Sequence, residues 1–146
     1  MSNFTKNLQV TFLGVTNDCR VDTEFSFYSS LYPIKVTIRE GFITDLGSIP
    51  NIVKGVVRGS ENRYNRAYVI HDGMYRKGYD RKISDDILDE ALKVLGMGWY
   101  TRSKIYYPLR LFGSPTTDEV LIANASRCVT IETFEFILRD KNASTI

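Results

Sequence analysis

The stretch Ile34-Lys35-Val36-Thr37-Ile38-Arg39-Glu40-Gly41-Phe42-Ile43-Thr44-Asp45-Leu46-Gly47-Ser48-Ile49-Pro50 decides the fold class. Its first part alternates. Ile34, Val36 and Ile38 point one way, and Lys35, Thr37 and Arg39 the other, the signature of a strand with one buried face. Glu40-Gly41 ends that strand and Phe42-Ile43 begins a short return. The period then changes. Ser48-Ile49-Pro50 reads as a helix start, with Ser as cap and Pro in the first turn. The short helix it opens runs to about Val57 and is closed by Gly59-Ser60. A β-rich chain becomes a helical one within this segment.

Towards the N-terminus, Leu8 to Leu13 and Val21 to Tyr28 are further strand candidates, with Ser29, Ser30 and Pro33 punctuating the gap before Ile34. Towards the C-terminus, Glu61 to about Lys77 reads as a longer helix with Tyr64, Ala67, His71, Met74 and Tyr75 on one face. Gly78 to Arg81 is a turn. Ser84 is the expected cap of a helix from Asp85 to Leu95, with an apolar stripe of Ile87, Leu88, Ala91, Leu92 and Leu95. Gly96 and Gly98 end it. Thr101 opens another helix through Leu111, with Pro108 as a kink or early stop. Asp118 to Ala125 is a further helix candidate. Val129 to Leu138 alternates well enough for a strand returning to the first sheet. There is no internal repeat, low-complexity segment or linker. The expectation is one α+β domain over residues 1–146: a small antiparallel sheet of N-terminal strands, with the C-terminal strand as a candidate member, packed with three to four helices.

Composition agrees with one domain. A chain of 146 residues is a single core's worth, large enough to fold without disulfides or a structural metal. The content of 43% hydrophobic and 25% charged residues excludes a disordered tail or a collagenous repeat. No apolar run approaches the ~20 residues of a membrane-spanning helix. The net charge of +2 carries no strong nucleic-acid signal. Cys19 and Cys128 form no C-x-x-C and read as reduced, buried thiols. Met1 to Lys6 lacks the apolar core of a signal peptide, so secretion by that route is not expected. The N-x-S/T triplets at Asn3, Asn124 and Asn142 then read as chance. The one histidine, His71, excludes chemistry that needs two or three, including the common catalytic zinc sites.

Three segments carry candidate chemistry. In the first, Thr44, Asp45 and Ser48 put three side-chain oxygens just ahead of a helix N-terminus, where exposed N–H groups favour an anion. Plain turn and helix caps explain the same residues. In the second, His71 and Asp72 project from one helix in adjacent directions, with Tyr75 a turn beyond His71. Such a pair can act as base and metal ligand. Gly73 follows, a residue tolerated in a helix where a backbone or ligand approaches closely. The other reading is a buried histidine, with Asp72 paired to Arg76 four residues on. In the third, Ser84-Asp85-Asp86, acids suit a first helical turn. Asp86 lies nearly opposite the apolar stripe and is expected in solvent. Asp85 lies at the stripe's edge, placed to face the preceding helix and meet His71 or Tyr75. A carboxylate there fixes an imidazole tautomer and supports its charged form. Arg58, Arg63, Arg66, Arg76, Lys77, Arg81 and Lys82 make the middle of the chain locally basic. They read as an anionic-surface contact or as solvated helix faces.

Together, GF-x-TD-x-x-SIP, HD-x-x-YR and an Asp on the next amphipathic helix resemble a family of uncharacterised bacteriophage and prophage proteins. The resemblance covers about Pro33 to Gly113, with Ser84-Asp85 in place of that family's Ala-Asp and with Leu111-Phe112-Gly113 as its ending. It implies a phage-encoded protein. A second similarity is to the His–Asp core of phospholipase A2-like proteins. It implies His71 as base, Asp72 as a calcium ligand, and Asp85 as orienter of His71 supported by Tyr75. The glycine-rich calcium loop and clamping disulfides of those enzymes have no counterpart. The loop in the corresponding place is Thr44 to Ser48, so Asp45 must outweigh a positive helix end for a cation to bind.

Two functions follow as expectations. One is a hydrolase-like site directed at a lipid or cell-envelope ester or amide. Its catalytic residues are His71, Asp85 and Tyr75, its candidate divalent-metal ligands (for calcium) Asp72 and Asp45, and its binding residues Thr44 and Ser48. The other is a non-enzymatic phage protein, a virion component or host-interaction factor, in which the same residues form a structural polar network. Its partners are other virion proteins or a host factor, and its place is the host cytoplasm or the virion. Geometry discriminates: catalysis needs one His71 ring nitrogen on a carboxylate and the other open to a pocket.

Overall fold

A computed structural model describes residues 2–14, 18–45 and 61–133. The expected helix from Ile49 to Val57, with its cap Ser48, lies outside these residues, as does the end of the C-terminal strand beyond Thr133. The strands are β1 (Asn3–Phe4), β2 (Val10–Phe12), β3 (Cys19–Val21), β4 (Phe25–Tyr28), β5 (Ile34–Ile38), β6 (Ile43–Thr44) and β7 (Val129–Thr133). The helices are α1 (Glu61–Arg76), α2 (Arg81–Val94), α3 (Trp99–Phe112) and α4 (Glu119–Cys128). The fold is α+β.

Two small antiparallel sheets form, in the orders β1-β4-β5-β7 and β2-β3-β6. The expected strand from Val21 to Tyr28 is therefore two. β3 pairs with β6 in the smaller sheet, while β4 pairs with β5 in the larger one. The polar run Asp22-Thr23-Glu24 marks the switch, and the Asp22 N–H still donates to the Gln9 carbonyl at 2.8 Å, one step beyond the β2–β3 pairing. In the larger sheet Phe25 lies opposite Ile38 and Phe27 opposite Val36. All four are buried, together with Ile34. The C-terminal strand does return to this sheet: β7 runs antiparallel to β5, with Val129 opposite Ile38.

Helix α1 covers that sheet with Ala67, Ile70 and Met74, all fully buried. Gly73 explains the close fit. A Cβ built there would stand 2.7 Å from Ile38 Cδ1 and 3.1 Å from Val129 Cγ2. The close approach is thus to the sheet, not to a ligand. Helix α2 packs on α1, α3 packs on α2, and α4 sits beside α1 and feeds directly into β7. Asn124 on α4 ties the loop before β6 in place. It accepts from the Ile43 N–H at 2.9 Å and donates to the Gly41 carbonyl at 3.0 Å.

Three local expectations are corrected. Helix α2 starts at Arg81, capped by Asp80, whose carboxylate accepts the Ile83 N–H at 2.9 Å. Ser84 is inside the helix, its hydroxyl donating to the Asp80 carbonyl at 2.8 Å. Asp85 consequently stands in the second turn, so its environment is set by packing rather than by the helix end. Helix α3 begins at Trp99 and continues through Pro108 to Phe112. Pro108 removes one N–H, but buried Ile105 and Leu109 hold the helix to α2, and Arg81 donates to the Leu109 and Arg110 carbonyls at its end. Asp86 is covered, not solvated. It accepts from Tyr32 at 2.5 Å, Tyr106 at 2.6 Å and Lys82 at 2.8 Å. Tyr32 precedes β5 and Tyr106 is on α3, so both arrive from elements that no helical wheel of α2 contains. Among the described residues, no helix is long and apolar enough to cross a membrane. Cys19 and Cys128 are buried free thiols.

Candidate active site

The α1–α2 hairpin brings His71 and Asp85 together. His71 Nε2 lies 2.8 Å from Asp85 Oδ1. The Tyr75 hydroxyl, one turn further along α1, donates to the same oxygen at 2.5 Å. From α3, Arg110 reaches the other oxygen, Oδ2, at 2.9 Å. Asp85 is fully buried, and its two oxygens hold three donors from two helices. Burial alone raises its carboxyl pKa, but the bonds from His71, Tyr75 and Arg110 outweigh burial and hold it below the usual carboxylate value. The Tyr75 hydroxyl is pushed up to about 12 by burial and by its bond to that carboxylate. An ionised Asp85 accepts Nε2–H, which leaves Nδ1 as the ring's acceptor. No described residue hydrogen-bonds Nδ1.

His71 and Tyr75 line a cavity of about 700 Å³ with Asp45, Asp72, Phe112 and the loop from Gly113 to Thr117. That loop passes directly over the site. A Cβ at Gly113 would stand 3.0 Å from the Tyr75 hydroxyl and 2.6 Å from the Leu109 carbonyl, so only glycine allows the turn there.

Asp72 forms a second cluster. Its Oδ1 pairs with Arg76 Nε at 3.1 Å, the i,i+4 partner legible in the sequence, and its Oδ2 accepts from the Thr44 hydroxyl at 2.8 Å. Arg76 also donates to the Ile43 carbonyl, so α1 is pinned to β6. Burial pushes the Asp72 carboxyl up to about 6. Arg76 and Thr44 pull against that, and Asp45 adds to it. Thr44 is buried and serves Asp72, not the cavity. Asp45 lies in the cavity wall. Ser48 is outside the described residues.

The calcium set does not fit these contacts. Calcium takes six to eight oxygen ligands, whereas both Asp72 oxygens are already engaged, one by a guanidinium that neutralises the charge. Among the described residues, no group of three or more His, Cys, Asp or Glu side chains is arranged to hold a metal. The basic stretch is likewise not merely a solvated face. Arg76 is buried, Arg81 reaches the end of α3, and Lys77 bonds the Val129 carbonyl at 2.7 Å.

Sequence reasoning did not find Arg110 or the Gly113–Thr117 wall. Arg110 is 25 positions from Asp85 and shares no periodic pattern with it. Its place depends on how α3 docks.

Comparison with curated proteins and with solved structures returns no match. A family match does exist, over residues 19–108, more than half of the chain. It starts earlier than the Pro33 suggested by the motifs, taking in β3 and β4, and ends at Pro108, short of Arg110 and Gly113. It includes His71, Asp72, Tyr75 and Asp85, and the chain belongs to the family described as "Protein of unknown function (DUF1353)".

Proposed function

We propose that this protein is a hydrolase in which His71 is the general base and Asp85 its orienting partner. The observation that carries the reading is the 2.8 Å contact of His71 Nε2 with a fully buried carboxylate, on a ring that lines a cavity and whose Nδ1 has no described partner. In the reaction, Nδ1 takes a proton from water as the water oxygen attacks an acyl carbonyl. The resulting imidazolium keeps Nε2–H on Asp85 and returns the proton to the departing alcohol or amine. Tyr75 and Arg110 position Asp85. No step runs through a metal. The substrate class is a lipid or cell-envelope ester or amide, and the sequence motifs suggest a bacteriophage or prophage setting.

The test is hydrolysis of a panel of p-nitrophenyl esters, phospholipids and peptidoglycan fragments by the full chain and by His71→Gln. A general base contributes on the order of a hundredfold or more, so His71→Gln is expected to lose at least that while keeping its thermal transition. Equal rates in the two proteins, or no hydrolysis of any panel member, overturns the reading.

A second reading has its own observation. Asp85 takes bonds from α1 and α3 at once, which suits a polar lock in a non-enzymatic virion component or host-interaction protein. Under it, His71→Gln loses stability and has no rate to lose.

A further inference from the structure

The outward side of α3 is apolar. Tyr100, Lys104, Tyr107 and Leu111 recur at spacings of four, three and four, so they share one face. The core-facing residues Ile105 and Leu109 lie on the opposite side. Tyr100 is 61% exposed, Tyr107 64% and Leu111 75%, flanked by Trp99 at 72% and Phe112 at 68%. A surface helix normally reverses this pattern, with its polar residues outward. Scattered single apolar residues need no explanation, but a continuous stripe marks a contact surface.

Within the stretch of sequence that carries the stripe, the charge has one sign. No acidic residue occurs between Glu90 and Asp118, while that stretch carries Lys93, Arg102, Lys104 and Arg110. Arg102 is paired with Asp89 at 3.1 Å and Arg110 with Asp85 at 2.9 Å. Lys104 holds its ammonium over the Tyr100 ring, 4.2 Å from the ring centre, within the aromatic stripe. Lys93 is exposed at the end of α2 nearest Trp99. Neither lysine has a carboxylate partner among the described residues. A second copy of this face would meet it cation against cation. An acidic surface would meet it with opposite charge.

We propose that this face of α3 docks onto an anionic lipid surface. Tyr and Trp have an apolar ring with a polar edge and settle at the boundary between headgroups and acyl chains, while lysines reach the headgroup phosphates. Leu111 and Phe112 supply the purely apolar contact. Phe112 is also part of the cavity wall that holds His71, so docking brings the cavity to the lipid. The docking surface goes beyond the catalytic reading and does not depend on it.

Trp99 is the only tryptophan of the chain and is exposed with its ring 6.0 Å from that of Tyr100, so it reports contact at this surface. The full-length protein is mixed with vesicles of phosphatidylcholine alone, or with one third phosphatidylglycerol. Co-sedimentation and Trp99 emission are read at low and high salt. The expected result is binding to the anionic vesicles, a blue shift of Trp99, and weaker binding at high salt. Tyr107→Glu with Leu111→Glu is expected to lower binding at least about tenfold, since it removes two apolar contacts and sets two carboxylates against an anionic surface. Both positions are exposed, so the folded state is retained, as its thermal transition will show. His71→Gln is expected to bind like the parent, which separates docking from catalysis. No binding, equal binding to both vesicle types, or unchanged binding by the double variant overturns the proposal. So does a Trp99 shift that follows protein concentration without vesicles, which would assign the face to a second copy.

Discussion

His71 and Asp85 are fourteen residues apart and meet at 2.8 Å across the α1–α2 hairpin, the imidazole at the cavity wall and the carboxylate fully buried behind it. The carboxylate is the pivot. With Tyr75 and Arg110 added, it joins three helices through one side chain.

Replacing that pivot is expected to be costly. Asp85→Ala leaves the Tyr75 hydroxyl, the His71 ring and Arg110 without their acceptor. The expected loss is about 3 kcal/mol in urea denaturation at neutral pH, the low end for breaking a buried pair, because Arg110 still reaches water. Asp85→Asn keeps the volume and is expected to lose about half as much. The folded pKa of Asp85 is lowered, so its contribution is present above its ordinary value of 3.8 and is lost as pH falls through the folded pKa. A loss below about 1 kcal/mol in the alanine variant would contradict this role.

Asp72 gives the opposite pH signature. Its pKa rises from 3.8 to about 6 in the fold. Stability from its neutral form is full below pH 3.8 and declines as pH rises towards about 6, by about 3 kcal/mol at most. Asp72→Asn cannot titrate. The difference in stability between parent and Asp72→Asn is therefore expected to change between pH 4 and 6.5 and to be flat above pH 7. A constant difference across that window would refute the assignment.

Gly73 sets the distance between α1 and the sheet. In Gly73→Ala the new methyl meets Ile38 Cδ1 at 2.7 Å, while the helix gains about 1 kcal/mol of propensity. Overpacking of this kind costs about 1–3 kcal/mol, so a net loss of about 1 kcal/mol is expected. Ile38→Val removes the clashing atom, and the double variant is expected to lose less than the sum of the single variants. Additive losses would show that Gly73 is not limited by Ile38.

Glu90 on α2 holds the turn between β4 and β5. Its carboxylate accepts from the Ser29 hydroxyl at 2.6 Å, the Ser30 N–H at 2.6 Å and the Leu31 N–H at 3.2 Å, and from the Ser2 hydroxyl at 2.5 Å. Glu90→Ala is expected to cost about 2 kcal/mol by stranding these donors. Amide hydrogen exchange should accelerate at Ser30 and Leu31, in the turn, ahead of β4 and β5. Uniform acceleration across the sheet would point to global destabilisation instead.

Calcium at millimolar concentration is expected to leave the thermal midpoint unchanged, because both Asp72 oxygens are engaged. A ligand bound only by the folded state must raise the midpoint. A rise of several degrees would restore the metal reading.

The alternation of Ile34, Val36 and Ile38, the long helix bearing His71, and the Asp72–Arg76 pair were legible in the sequence, because each depends on neighbours within one element. The helical wheel also set Asp85, rather than Asp86, towards α1. The wheel failed for Asp86, which Tyr32 and Tyr106 cover from other elements. It did not show why Gly73 is needed, since the obstructing atoms belong to Ile38 and Val129. Nor did it show Arg110 on Asp85 or the loop from Gly113 over Tyr75. Periodicity determines which face of an element is apolar. Which charge, hydroxyl or loop then arrives at a polar side chain on that face is set by docking between elements far apart in the chain, and only the tertiary structure decides it.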